Sequence, residues 1–210
     1  MTRPSRNTDR LLLEAGKKLI PEMGISGLTV RAVAKKAGVN LGMFNYHFKT
    51  KDTFVERLLS DMYEDFFKSF KMESETGGDC RERLKNAVLT LGRFVRARRR
   101  IIIMIIQEII IGNRKIMEFA KANMTRHIMI LLGLIKECQK KKYIAKMPLP
   151  SAASFFIAAI VGPNIVLAIV EQYARKGLAT HLFAAAVEKM VLTDKELQRR
   201  VEIAFKGLAS

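Results

Sequence analysis

The 210-residue chain is 49% hydrophobic and 27% charged, which is enough apolar material for a real core and too much for a disordered chain. Thirteen Gly and five Pro exclude a collagen-like or linker-type protein. Lys and Arg number 37 against 20 Asp and Glu, a formal charge of +17. That excess suits a polyanionic partner, whether nucleic acid, an anionic membrane surface or an acidic ligand, and does not choose among them.

The pattern is helical nearly throughout, with no internal repeat and no convincing strand alternation. Residues 8–23 place Leu12, Ala15, Leu19 and Met23 on one face. Pro21, lacking the N–H that would bond the carbonyl of Lys17, predicts a kink there or an end near Ile20. Gly24 offers a stop. Residues 29–38 form a short second helix, capped by Thr29 and ended by Gly38. Asn40 caps a third, which runs to about Phe48. Lys51 to about Met72 is a longer amphipathic helix, and Glu73–Asp79 reads as a loop. Arg81–Arg99, Ile101–Ile111 and 113–141 follow as separate helices. Met147-Pro148-Leu149-Pro150 breaks the chain. Ser151 is placed to cap a helix that is apolar on nearly every face, which Pro163 should bend. Leu182–Val191 and 194–209 close the chain.

Two apolar stretches invite a membrane reading. Ile101–Ile111 is short and contains Gln107 and Glu108, and Phe155–Val170 is interrupted by Gly162-Pro163-Asn164. Neither reaches the roughly 20 residues of a spanning helix, so we expect a soluble, cytoplasmic protein with no membrane partner. Cys80 and Cys138 are the only cysteines and read as ordinary reduced thiols; no metal-ligand spacing and no cofactor motif is visible.

Two short helices joined by a tight Gly-containing turn, near a basic N-terminus, suggest helix-turn-helix DNA binding. Residues 1–52 hold ten Lys or Arg against four Asp or Glu. Val30, Val33, Ala34, Ala37, Val39, Phe44 and Phe48 make its small core. The run from Gly27 to Lys51 (GLTVRAVAKKAGVNLGMFNYHFKTK) resembles the N-terminal signature of TetR-type transcriptional regulators over about residues 8–55. Where that family usually has Tyr, this chain has Asn45, followed by Tyr46.

The resemblance implies an all-α protein: a three-helix helix-turn-helix domain at 1–52, then a helical ligand-binding and dimerisation domain at 53–210. It implies a homodimeric repressor on a palindromic double-stranded DNA operator, released by a small molecule. The third helix would enter the major groove, bringing Asn40, Leu41, Gly42 and Met43 near bases or backbone. Arg31, Asn45, Tyr46, His47 and Lys51 would supply polar contacts, Lys51 to phosphate. Asn45 could make a bidentate contact to adenine. Arg3, Arg6 and Arg10 could form a basic arm. Copies would pair through C-terminal helices, Ala152–Ile169 and Asp194–Leu208. An unidentified ligand would meet Met104, Gln107, Glu108, Met124, His127 and Phe155, with Met117, Met129 and Phe156 as further apolar lining. No catalytic constellation or Gly-rich phosphate loop is present, so an enzyme is not expected. The rival reading is a sequence-blind, architectural DNA-binding protein.

Overall fold

The computed structural model describes residues 7–174 and 178–209, with the side chains of 172–174 and 178–181 left aside; Arg3 and Arg6 of the expected basic arm lie outside the described residues. Among these residues the chain is helical without strands: α1 (Thr8–Gly27), α2 (Val30–Ala37), α3 (Leu41–Phe48), α4 (Lys51–Glu75), α5 (Cys80–Ile110), α6 (Arg114–Lys140), α7 (Leu149–Ala174), α8 (Leu178–Val191) and α9 (Asp194–Gly207). An N-terminal helix-turn-helix is followed by a helical domain.

Two compact units divide the chain. The first takes in the residues through Glu64 together with Met104–Lys121. It therefore contains α1–α3, the first half of α4, and the turn between α5 and α6. Its core is built on Leu12, Ile20, Leu28, Val33, Phe44, Phe54 and Leu58, all essentially inaccessible to solvent. Phe44, Phe48 and Phe54 meet pairwise at centroid distances of 5.5, 5.1 and 4.9 Å. The buried side of α1 is Leu12, Leu13, Ala15, Gly16 and Ile20, while Met23 is exposed. Gly16 sets that face: a Cβ there would lie 2.4 Å from Leu58 Cδ1 and 2.6 Å from Phe54 Cζ.

The second unit takes Asp65–Ile103 and the residues from Ala122 onward. Phe66 stacks on Phe94 at 4.2 Å, and Arg126 lies 3.8 Å over the Phe67 ring. Arg83 clasps both oxygens of Glu137 at 2.7 Å, tying α5 to α6. Arg99 joins Glu171 of α7 and Glu188 of α8. Gly92 of α5 lets Ile160 of α7 and Leu197 of α9 approach so closely that a Cβ would fall 2.7 and 2.6 Å from them.

Several sequence expectations need correction. α1 does not end at Pro21. It continues, and the break falls at Gly24, whose φ of 75° and ψ of 167° are open only to glycine. Residues 81–99 and 101–111 are one helix, because neither Gly nor Pro separates them and Arg99 and Arg100 are both held by Glu171. Ser151 is not a cap: α7 starts two residues earlier, and Ser151 and Ala152 both donate to the carbonyl of Pro148. α7 also runs on through Pro163, where the next residue, Asn164, adds a side-chain bond to the carbonyl of Ile160 at 2.8 Å. Leu149–Glu171 is thereby 23 residues long and apolar enough, by length and composition, to cross a membrane, contrary to the expected interruption. A third of its most apolar stretch is buried inside this chain, packed on α8 and α9.

Candidate nucleic-acid interface

Each helix of the candidate interface is held by a local capping device. Thr29 Oγ1 accepts from the N–H of Ala32 at 3.2 Å and starts α2. Gly38 closes it in the left-handed conformation, φ 68°, with its N–H on Lys35 O and that of Val39 on Ala34 O. Asn40 Oδ1 accepts from the N–H of Gly42 at 2.6 Å and starts α3. A Cβ on Gly42 would stand 3.1 Å from that same oxygen, so the glycine leaves room for the cap. Asn40 is thus a capping residue as well as a candidate DNA contact.

α3 divides cleanly into two faces. Phe44 and Phe48 are buried four residues apart. Leu41, Gly42, Asn45 and Tyr46 are exposed, at spacings of one, four and five residues, which makes a single outward stripe on a helix, and the exposed Lys49 follows as its C-cap with φ 61°. Tyr46 is 66% exposed. Met43 and His47 are half-buried at the flank. The His47 ring lies edge-on to Tyr46 at 5.1 Å, and its Nε2 is shielded with no hydrogen-bond partner among the described residues. Arg31, Lys35 and Lys36 are exposed on α2. Lys51, at the start of α4, donates from Nζ to the carbonyl of Ser26 at 2.7 Å. Its acidic neighbour Asp52 is paired with Lys115 at 2.6 Å. Arg31, Lys35, Lys36, Lys49 and Lys51 thus supply cations around the helix pair, and the outward stripe itself carries uncharged groups.

The candidate ligand residues separate. Met104, Gln107 and Glu108 belong to the first unit, whereas Met124, His127 and Phe155 belong to the second. Glu108 is buried at 7% exposure, and both its oxygens are used: Ser26 Oγ donates to one at 2.5 Å and Asn113 Nδ2 to the other at 2.7 Å. A cleft of about 490 Å³ opens beside it, lined by Ser26, Lys51, Asp52, Asn113 and Lys115 among others. Met117, Met124, Met129 and Phe155 are exposed, and Phe156 is core, edge-on to Phe205 at 5.1 Å. His127 is buried between Phe66 and Phe70, with centroids at 5.5 and 5.8 Å, and burial pushes its imidazole down to about 4. That aromatic nest escaped the sequence reading. Its signal was Phe66 and Phe70, one turn apart on α4.

Among the described residues no group of three or more His, Cys, Asp or Glu is placed to hold a metal. Cys80 and Cys138 are buried free thiols, and burial, reinforced by Cys80, pushes the Cys138 thiol up.

Residues 12–58 match the family model described as bacterial regulatory proteins, tetR family. A Bacillus subtilis (strain 168) protein named "Probable HTH-type transcriptional regulator YttP" is 26% identical over 146 residues, 69% of this chain and 70% of that protein. The HTH-type transcriptional repressor KstR2 of Rhodococcus jostii (strain RHA1) is 32% identical over 79 residues, 38% of this chain and 39% of that protein. In structure, the ketosteroid transcriptional regulator KstR2 of Mycobacterium tuberculosis aligns with a TM-score of 0.70 at 16% identity, covering 100% of this chain and 97% of its own. The transcriptional regulator FadR of Bacillus subtilis, solved with stearoyl-CoA, aligns at 0.66 and 16%, covering 88% of this chain and 98% of its own. At such identities the structural likeness speaks to fold.

Proposed function

We propose, from the match of residues 12–58 to the tetR family model, that the chain is a TetR-type transcriptional regulator, a homodimeric repressor of a palindromic operator, released by a small-molecule effector and working in the cytoplasm. The observation that carries this is the exposed stripe on α3. Leu41, Asn45 and Tyr46 stand outward while Phe44 and Phe48 anchor the helix. In this reading Leu41 and Met43 touch thymine methyls, Gly42 lets backbone approach, and Asn45 reads an adenine edge. Tyr46 and Lys51 hold phosphates, and Arg31 with the α2 lysines steers the approach. His47 is proposed to hold α3 at its flank, close to the DNA backbone.

The effector is assigned to the second unit, where His127 and its phenylalanines, with Met124 nearby in sequence, offer a neutral polar group among apolar rings. Regulation in this reading is reciprocal: operator must weaken effector by the factor that effector weakens operator.

The charge of +17 favours one second reading, a sequence-blind DNA coater. One experiment separates the two. Fragments bound from a genomic pool at near-physiological salt are sequenced. Enrichment of one palindrome, with half-sites about one helical turn or a multiple apart, supports the repressor. Uniform recovery that disappears with modest added salt supports the coater.

A further inference from the structure

We infer that Glu108 is a positioning residue for DNA binding, holding the phosphate-binding lysine in place through Ser26; this rests on the DNA-binding reading above. The α5–α6 turn belongs to the same compact unit as the helix-turn-helix, where Glu108 fastens it to Ser26 and Lys115 pairs with Asp52 of α4. Its side chain, 7% exposed, accepts from Ser26 Oγ on one oxygen and from Asn113 Nδ2 on the other, while the N–H of Asn113 donates to the Glu108 carbonyl at 2.8 Å. Asn113 in turn caps α6, its Oδ1 accepting from the N–H of Ile116 at 3.3 Å. Ser26 lies two residues after the break at Gly24, in the joint that sets the direction of α2. Its own carbonyl accepts from Lys51 Nζ at 2.7 Å. A chain of hydrogen bonds thus runs from a buried acidic side chain, through one serine, to an ammonium at the start of α4.

The consequence is physical. A free lysine side chain loses considerable rotamer entropy when it is fixed on a phosphate. Lys51 has one of its three N–H groups committed to a fixed carbonyl, so two remain for phosphate on an already ordered stem. Glu108 fixes Ser26, and Ser26 fixes Lys51. Without Glu108 the hydroxyl of Ser26 loses its acceptor, the joint loosens, and Lys51 must be ordered by the DNA itself.

The test is a double-mutant cycle on the full chain, using the operator selected above. Lys51→Ala should weaken binding and lower the slope of log K against log salt by about 1 per subunit. Glu108→Ala should weaken binding about tenfold and move the slope toward that of Lys51→Ala. In the Lys51→Ala background, Glu108→Ala should change affinity less than about twofold, since the two act through one contact. Glu108→Gln should restore most of the binding, because its amide oxygen can serve Asn113 while its NH₂ donates to a Ser26 hydroxyl turned to accept. Ser26→Ala repeats the test at an exposed position if Glu108→Ala folds poorly. The inference is overturned if Glu108→Ala and Ser26→Ala bind as wild type, or if they weaken binding equally with and without Lys51. If wild-type protein selects no operator, the DNA-binding reading itself falls.

Discussion

In the proposed DNA interface Asn45 and Lys51 would do two different jobs. Asn45 sits at the centre of the exposed stripe, where a carboxamide can present a donor and an acceptor together to one base edge. Lys51 has only a charge and donors to offer. Asn45→Ala should therefore cost about 1–3 kcal/mol at a single operator position and flatten the preference there. Lys51→Ala should weaken all sequences alike. Binding to a panel of single-base operator variants checks both, and a uniform loss for Asn45→Ala would remove it from base reading. His127 carries a prediction of a different sort. Its pKa in the folded chain, about 4, is depressed from an ordinary value near 6.5. The unfolded chain therefore takes up the proton first as pH falls. Stability attributable to this group is intact above about 6.5 and drains away between there and 4, by up to about 3 kcal/mol. Comparing denaturant midpoints of wild type and His127→Gln at pH 7 and pH 4.5 isolates it: the wild type should lose more than the variant. Equal losses would mean that the imidazole is not buried in the neutral form.

The elements themselves were largely visible in the residues. The second and third helices were fixed by local signals that act over three or four residues, namely Thr29, Gly38 and Asn40, and each performs its expected cap. What escaped were features decided by partners distant in sequence. Gly16 and Gly92 carry no local signal in the sequence, since what fills the space beside them is Phe54 and Leu58, or Ile160 and Leu197. Gly162-Pro163-Asn164 was expected to interrupt the apolar run because propensity is local, whereas α7 packs on α8 and α9, and tertiary packing supplies most helical stability in a folded chain. Glu108 was legible only as a polar residue in apolar surroundings. Its partner Ser26 lies 82 residues away, so no spacing rule could pair them. The glycine at 92 supplies the test at this scale. Gly92→Ala favours the helix locally by nearly 1 kcal/mol, yet its methyl would collide with two side chains from two helices. The collision should win, with a net loss of about 1–3 kcal/mol seen as a lowered melting temperature. An unchanged or raised melting temperature would mean that α7 and α9 do not close on α5 there.

At the scale of the whole molecule, the unpartnered apolar surface decides what the chain needs. The α9 helix, expected to share a dimer interface with α7, buries Leu197, Val201, Ala204 and Phe205 in its own unit. Exposed large apolar side chains remain on α9 at Ile203 and gather on α7 and α8 at Val166, Ile169, Leu182, Phe183 and Met190, the last at 73% exposure. Large exposed side chains gathered on two packed helices are what an association surface would present. In the proposed function the occupant is a second copy, because a palindromic operator would be met by a two-fold pair of chains with two equivalent reading helices. Pairing also makes the second half-site contact intramolecular, which can raise affinity by about 10²–10⁴ without a new bond. Replacing Leu182 and Phe183 together by Asp should then give a monomer in sedimentation, still helical by circular dichroism. Its operator affinity should fall by about that factor. Non-specific binding, which rests on charge rather than on paired heads, should fall only as far as two added acidic residues per chain reduce it. A dimer that survives the double replacement would move the interface elsewhere on the chain. A monomer that keeps full operator affinity would show that each copy reads its half-site alone, and the palindrome would then no longer be the reason for pairing.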